Sequence, residues 1–175
     1  MLKSKEIIFT GVESSGKSTL AQALSQKYQG IYIAEYARSY LEKLGLNYTA
    51  QDVEQIALGQ AQWQINTFAE FPFQRYIFID TDALVCKIWH EFKYKKSSPI
   101  IDQIWQAQKA DLYILCDIHI PWAADDLRET PDENIRQILF NLYEVELKKA
   151  QRPYIIVSGT LETRLAQIEK HLLLL

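Results

Sequence analysis

Short apolar runs alternate with longer stretches of helical spacing along this chain. Ile7-Ile8-Phe9, Ile31 to Ala34, Tyr76 to Ile79, Leu112 to Cys116 and Tyr154 to Val157 are rich in β-branched and aromatic side chains and too short for helices. They predict five strands. Because successive positions are apolar, both faces of each strand are buried, as in a parallel sheet covered by helices on both sides. Between the runs, Leu20, Ala23, Leu24 and Tyr28 repeat at helical spacing after Lys17 and stop at Gly30. A second helical stretch runs to Gly45. Asp52 is expected to open a third helix, with Val53, Ile56, Ala57, Ala61, Ile65 and Phe68 on one face, ending near Pro72. A long helix is expected from Pro131 to Ala150, and Leu161, Leu165, Ile168, Leu172 and Leu175 mark a last amphipathic one. Residues 118 to 131, with two prolines, read as an irregular insert. No repeat, low-complexity tract or linker breaks the alternation, so residues 1–175 read as one domain.

Composition narrows the function classes. At 48% hydrophobic and 23% charged residues the chain can bury a core, whereas disorder requires far fewer apolar residues. A net charge of -3 and a pI near 5.6 argue against a broad nucleic-acid surface. The basic cluster Lys93-Tyr94-Lys95-Lys96 reads as a solvated loop rather than a phosphate patch. There is no signal-peptide core, and no stretch approaches the ~20 apolar residues of a membrane span, so a soluble cytoplasmic protein is expected. Cys86 and Cys116 are too few for a disulfide framework and lack metal-ligand spacing. Cys116 closes an apolar run and is expected to be a buried, inert thiol. His90, His119 and His171 show no triad or metal spacing and read as structural.

The chemistry starts at Gly11-Val12-Glu13-Ser14-Ser15-Gly16-Lys17-Ser18, followed by Thr19. This is G-x-x-x-x-G-K-[S/T], which arises by chance in a chain of this size about once in two hundred. It also follows a strand and opens a helix, as a phosphate loop must. Glycines let the backbone curl so that consecutive N–H groups face phosphate oxygens, and the helix N-terminus adds partial positive charge. Lys17 is expected to reach the β- and γ-phosphates, and Ser18 to hold Mg²⁺. ATP is favoured over GTP, because Cys116-Asp117-Ile118-His119 stands where an N-K-x-D motif would follow the fourth strand.

Ligands of open parallel sheets sit beyond the carboxyl ends of the strands. There the sequence places Glu35-Tyr36-Ala37-Arg38 and Asp80-Thr81-Asp82. Asp80 ends an apolar strand, the position of a Walker-B acid, and is expected to hold the metal. Glu35 or Asp82 could take a proton from an attacking hydroxyl or bind sugar hydroxyls. Asp80 and Glu35 also read as simple helix caps. Arg38 is either a substrate contact or an ion-pair partner. Trp89 and Trp122 either offer faces for a heteroaromatic ring or fill the core. Pro121 to Arg128 occupies the place of a mobile lid, with Arg128 brought to the transferring phosphoryl group or else paired with Asp125 or Glu129.

Taken in order, Thr10 through Thr19, Glu35-Tyr36-Ala37-Arg38, Ala57-Leu58-Gly59-Gln60, Phe78-Ile79-Asp80-Thr81-Asp82, and Pro121-Trp122 through Leu127-Arg128 resemble a known family. It is the ribosylnicotinamide kinase domain of the bifunctional bacterial regulator of NAD synthesis, with the stand-alone AAA-type ATPases related to it. The likeness runs over about residues 6 to 170. It implies an α/β, P-loop kinase-like fold: a parallel five-stranded sheet flanked by helices, with a small lid. It implies transfer of the ATP γ-phosphate to the 5′-hydroxyl of nicotinamide riboside. Another nucleoside or nucleotide as acceptor, or an ATP-binding regulatory ATPase without an acceptor, are the alternatives. The expected site has Lys17, Glu35, Asp80 and Arg128 as catalytic groups. Gly11, Glu13, Ser14, Ser15, Gly16, Lys17, Ser18 and Thr19 hold the nucleotide, and Ser18 and Asp80 the metal. Tyr36, Arg38, Asp82, Trp89, Trp122 and Asp125 face the acceptor. Asp125-Asp126-Leu127-Arg128 departs from the family's Asp-Gly-Leu-Arg, which is expected to alter the lid's turn. The chain has no room for the adenylyltransferase or DNA-binding domains that accompany the family's kinase, so a kinase here is expected to work alone.

Overall fold

The computed structural model describes residues 4–175. Strand β1 (Lys5–Thr10) enters the phosphate loop and α1 (Lys17–Lys27) leaves it. There follow β2 (Ile31–Ile33), α2 (Tyr36–Leu44), α3 (Ala50–Glu70), β3 (Tyr76–Asp80), α4 (Ala83–Tyr94), α5 (Pro99–Ala107), β4 (Leu112–Cys116), α6 (Glu133–Lys149), β5 (Tyr154–Val157) and α7 (Leu161–Leu172). Every strand pairing among the described residues is parallel, in the order β2-β3-β1-β4-β5. The chain therefore leaves β1 toward one edge of the sheet and later returns to build the other. That reversal beside β1 opens a crevice at the strands' carboxyl ends, where the phosphate loop lies.

The two faces bury alternate residues of the same strands. Ile8, Ile77, Ile79, Tyr113 and Leu115 pack under α4 and α6 with Leu84, Ile88, Leu139, Tyr143 and Leu147. Ile7, Phe9, Phe78 and Ile114 pack against α1 and α7 through Leu20, Leu24, Ile168 and Leu172. Every residue of β3 and β4 is buried, as their unbroken apolar runs require. A third cluster joins α2 and α3 to α4 and α5 through Ala37, Leu41, Val53, Ile56, Cys86 and Ile101. No helix among the described residues is long and apolar enough to cross a membrane.

The structure departs from the sequence pattern in four places. Helices α4 and α5 occupy residues 83–94 and 99–107, to which the sequence reading assigns no element. Ala83, Leu84, Cys86, Lys87, Ile88 and His90 are all buried, so α4 shows no clean polar face, whereas α5 carries a Ser98 N-cap, Pro99 in its first turn and Ile101, Ile104 and Trp105 at helical spacing. The first three residues of the basic cluster thereby belong to α4's last turn and cap rather than to a solvated loop. Asp52 does not open α3. It is the N3 partner in a capping box with Thr49, which places the start at Ala50. The buried stripe of α3 continues through Gln60 and Gln64 while Ile65 is exposed, because Gln60 binds the β2–α2 turn: its Oε1 accepts from the Tyr36 N–H at 2.7 Å. In α7 the buried member at the N-terminal end is Arg164, and Leu161 is exposed.

Candidate active site

The phosphate loop begins where β1 ends. Gly11 has φ +126°, and a Cβ there would stand 3.0 Å from the Cys116 carbonyl oxygen, so both conformation and crowding demand glycine. Gly16 (φ +82°) is the N-cap of α1, whose first turn has neither a capping side chain nor an acid. The helix's amide dipoles are thus left for an anion. Lys17 is buried, and its Nζ donates to the carbonyls of Gly11 at 3.0 Å and Val12 at 2.8 Å. The Ser15 hydroxyl donates to Val12 O at 2.6 Å.

Two buried arginines brace this loop. Arg164 donates from Nη1 to Ser15 O (2.8 Å) and from Nε to Gly159 O (3.0 Å). Arg136 donates from Nη1 to Glu13 O (2.7 Å) and from Nη2 to Ile118 O (3.3 Å). Neither was among the expected site residues. Their signal is a charge in core phase: Arg136 shares a helical face with Leu139, Tyr143 and Leu147, and Arg164 with Ile168 and Leu172.

The strand-end carboxylates part company. Asp80 is buried beneath the loop, and its Oδ2 accepts from the Tyr32 hydroxyl at 3.1 Å. Its Oδ1 is buried without a hydrogen-bond partner. Burial raises its carboxyl above the usual range, opposed by the nearby Ser18 hydroxyl and Lys17 ammonium. Glu35 stands at the N-cap position of α2 without capping it by its side chain. Desolvation raises its carboxyl, with Lys17 and Arg38 pulling the other way. Asp82 does not face the crevice. It caps α4, accepting from Leu84 N–H and from the Tyr113 hydroxyl, both at 3.1 Å, and burial pushes its carboxyl up to about 7. Cys116 is buried, its thiol pushed up to about 12 by desolvation.

Residues 120 to 130 lie across the loop. The Ser14 Oγ accepts from Ala123 N–H at 3.1 Å and from Arg128 Nη1 at 3.4 Å, and Arg128 also donates to Ala123 O at 2.6 Å. A turn closed by Arg128 N–H on Asp125 O (3.0 Å) carries Asp126 without a left-handed backbone, so glycine is not needed there. Asp125 pairs with Arg38 at 2.9 Å. Glu129, beyond the expected motif, accepts from Tyr48 Oη (2.7 Å) and Lys93 Nζ (2.9 Å). The Trp89 indole N–H donates to the Tyr48 hydroxyl at 2.8 Å. These contacts tie the lid to α4 and to the segment before α3.

Between loop, lid and α4 lies a cavity of about 540 Å³. Of the expected residues, Gly11 to Thr19, Glu35, Arg38, Trp89 and Arg128 line it, joined by Tyr48, Lys93, Glu129 and an apolar wall that includes Val85, Ile88, Phe92, Leu139 and Tyr143. Tyr36, Asp82, Trp122 and Asp125 are not part of that lining. The Tyr36 ring packs edge-on against Trp63, Trp122 turns its indole N–H to Glu13, and Asp125 borders a second hollow outside Arg38. Asp80 sits just below the lining, next to Ser18.

Residues 6–164 match the family model described as AAA domain. The chain is 30% identical over 160 residues to the trifunctional NAD biosynthesis/regulator protein NadR of Salmonella typhimurium, covering 88% of this chain and 38% of that protein. It is 31% identical over 144 residues to the protein of that name from Escherichia coli, covering 79% and 34%. The chain thus spans little more than a third of the length of these curated relatives. Among solved structures, NadR in complex with NR superposes with a TM-score of 0.78 at 21% identity, over 95% of this chain and 50% of that one. Thymidylate kinase from Ehrlichia chaffeensis superposes at 0.71 and 14% identity, over 98% and 100%. The fold is that of P-loop kinases, and the continuous match over residues 6–164 shows that the chain belongs to the AAA domain family.

Proposed function

We propose that this chain is an ATP-dependent kinase of a small nucleoside, transferring the γ-phosphoryl group to a 5′-hydroxyl, with nicotinamide riboside as the leading acceptor. The observation that carries this reading is the shared cavity: one wall is the phosphate loop, and the rest of its 540 Å³ is enclosed by polar groups, among them Glu35, Arg38, Lys93, Arg128 and Glu129, and by Trp89 and an apolar wall. A loop that only bound and hydrolysed ATP would not need an apolar chamber opposite the phosphates. The likeness to NadR, including the complex named with NR, supports the choice of acceptor.

In this reading the loop amides and Lys17 hold the triphosphate, Lys17 exchanging its two carbonyl partners for phosphate oxygens. Arg128, already beside Ser14, balances charge on the transferring group. Glu35 takes the proton from the acceptor hydroxyl, its raised carboxyl making it a stronger base than a solvated one. Ser18 and Asp80 fit a Mg²⁺ ion held mainly by phosphates and water. The unpartnered Oδ1 of Asp80 supplies the one carboxylate such a site requires, and no cluster of three or more His, Cys, Asp or Glu among the described residues competes for the metal. The ion, when bound, neutralises charge on the phosphates. A soluble, cytoplasmic enzyme is part of the proposal.

The test is an ATP-coupled assay of nicotinamide riboside against a panel of nucleosides and nucleoside monophosphates. Turnover on nicotinamide riboside above the others is expected. Turnover on a purine or pyrimidine nucleoside with none on nicotinamide riboside overturns the acceptor, and ATP hydrolysis without transfer to any of them overturns the kinase.

A further inference from the structure

Glu13 sets an electrostatic problem. It is a carboxylate inside a loop whose amides, lysine and helix N-terminus are arranged to bind anions, where it opposes an incoming phosphate. Its oxygens are nevertheless engaged, and all three of their donors come from the lid. Oε1 accepts from the Trp122 indole N–H at 3.2 Å and from Thr130 N–H at 2.6 Å, and Oε2 accepts from Glu129 N–H at 3.1 Å. The next residue continues the pattern, the Ser14 Oγ accepting from Ala123 and Arg128. The lid has no regular secondary structure, and although Leu127 packs on the α2–α3 cluster, Pro121, Ala123, Ala124 and Asp126 are exposed, so little apolar burial holds the stretch from 121 to 126 in place. Its attachment at this end is polar and is made to two consecutive side chains of the phosphate loop.

We infer that Glu13 is a positioning residue: its carboxylate is the post on which the lid docks, and through the backbone of residues 122 to 130 it sets Arg128 beside the phosphate site. Hydrogen bonds to a charged acceptor are the strong ones, and two of the three donors are backbone amides that no side-chain motion can supply elsewhere. The same donors disperse the charge of Glu13, so the loop accepts phosphate best when the lid is docked. By reciprocity, bound nucleotide then holds the lid down. The consequence for phosphoryl transfer rests on the kinase reading above, while the docking itself does not.

The experiment compares the wild-type chain with Glu13→Gln, which keeps the shape, removes the charge and turns one acceptor into a donor. Backbone hydrogen exchange is read at Glu129 and Thr130 with and without the ATP analogue AMP-PNP, alongside steady-state kinetics. We expect exchange at both amides to speed up by about ten- to a hundredfold in the variant, with β1 and β4 unchanged. The kcat for transfer is expected to fall by about tenfold or more, with the acceptor KM held within about threefold. Unchanged exchange at both amides overturns the inference. So does a raised acceptor KM with unaltered kcat, since Glu13 would then be an acceptor-binding group. If Glu13→Gln fails to fold, Trp122→Phe removes one donor from the opposite side and is expected to speed the same amides about threefold, and no change there also overturns it. If the wild type phosphorylates no nucleoside, the kinase reading fails while the exchange data still decide lid docking.

Discussion

Asp80 and Asp82 stand two positions apart at the end of β3, yet the left-handed Thr81 between them (φ +70°) sends one carboxylate beneath the phosphate loop and the other to the cap of α4. In a regular strand, residues two apart share a face, and nothing in the string Asp-Thr-Asp reveals the break. This is why the sequence marks the strand end as acid-bearing without revealing that Asp82 turns from the cavity to cap α4. The Asp82 carboxyl, pushed by burial from its ordinary 3.8 up to about 7, keeps its proton in the folded chain after the unfolded chain has lost it. Its contribution to stability is therefore full below about pH 4 and is lost as pH rises toward 7, with a slope of up to about 1.4 kcal/mol per pH unit. Asp82→Asn keeps the cap and is expected to flatten that part of the profile, as read by urea unfolding at a series of pH values from 4 to 8. A second residue-scale expectation concerns Arg128: Arg128→Ala should lower phosphoryl-transfer turnover by about a thousandfold or more. Arg128 is partly exposed and lies outside the core, so its melting temperature should change little.

Elements were legible where one rule governed them. Each of the five apolar runs is a strand of the sheet, and the residues after the second glycine of the phosphate loop form α1. Helix α4 escaped because it is buried nearly all round, which erases the period a reader depends on. In α3 the departure has a different cause: the stripe passes through Gln60, which hydrogen-bonds the β2–α2 turn, and Gln64, which accepts from the Gln108 side chain at the end of α5, so polarity there does not mean exposure. Gly59 lies in the same helix, and a Cβ on it would stand 2.2 Å from the Tyr36 ring, itself held edge-on by Trp63 at 4.9 Å between centroids. Helix propensity alone favours Gly59→Ala by about 1 kcal/mol. Overpacking costs about 1–3 kcal/mol and outweighs it. Chemical denaturation is expected to show a net loss for Gly59→Ala that Tyr36→Ala in the same chain partly relieves.

The whole molecule places its nucleotide loop where the two halves of the sheet meet, and braces it from a distance with arginines from α6 and α7. Helix signals in the sequence mark both elements, but only the folded topology brings their charges to one loop. Arg164→Met would leave the carbonyls of Ser15 and Gly159 without their donor. We expect a loss on the order of 3 kcal/mol in unfolding free energy, together with weaker ATP binding in calorimetry. In the wild type, ATP at about a hundred times its Kd should add about 2.7 kcal/mol, raising the melting temperature by about 5–10 °C. The smaller rise expected for Arg164→Met checks that the brace serves the loop as well as the core. The sheet's ends have a consequence of another kind. Both outer strands are short, three residues in β2 and four in β5, beside inner strands of five and six. So few unpaired backbone groups make a poor template for a foreign strand. Light scattering of concentrated, folded protein is accordingly expected to stay flat, and any fibril-like growth should begin from unfolded chains.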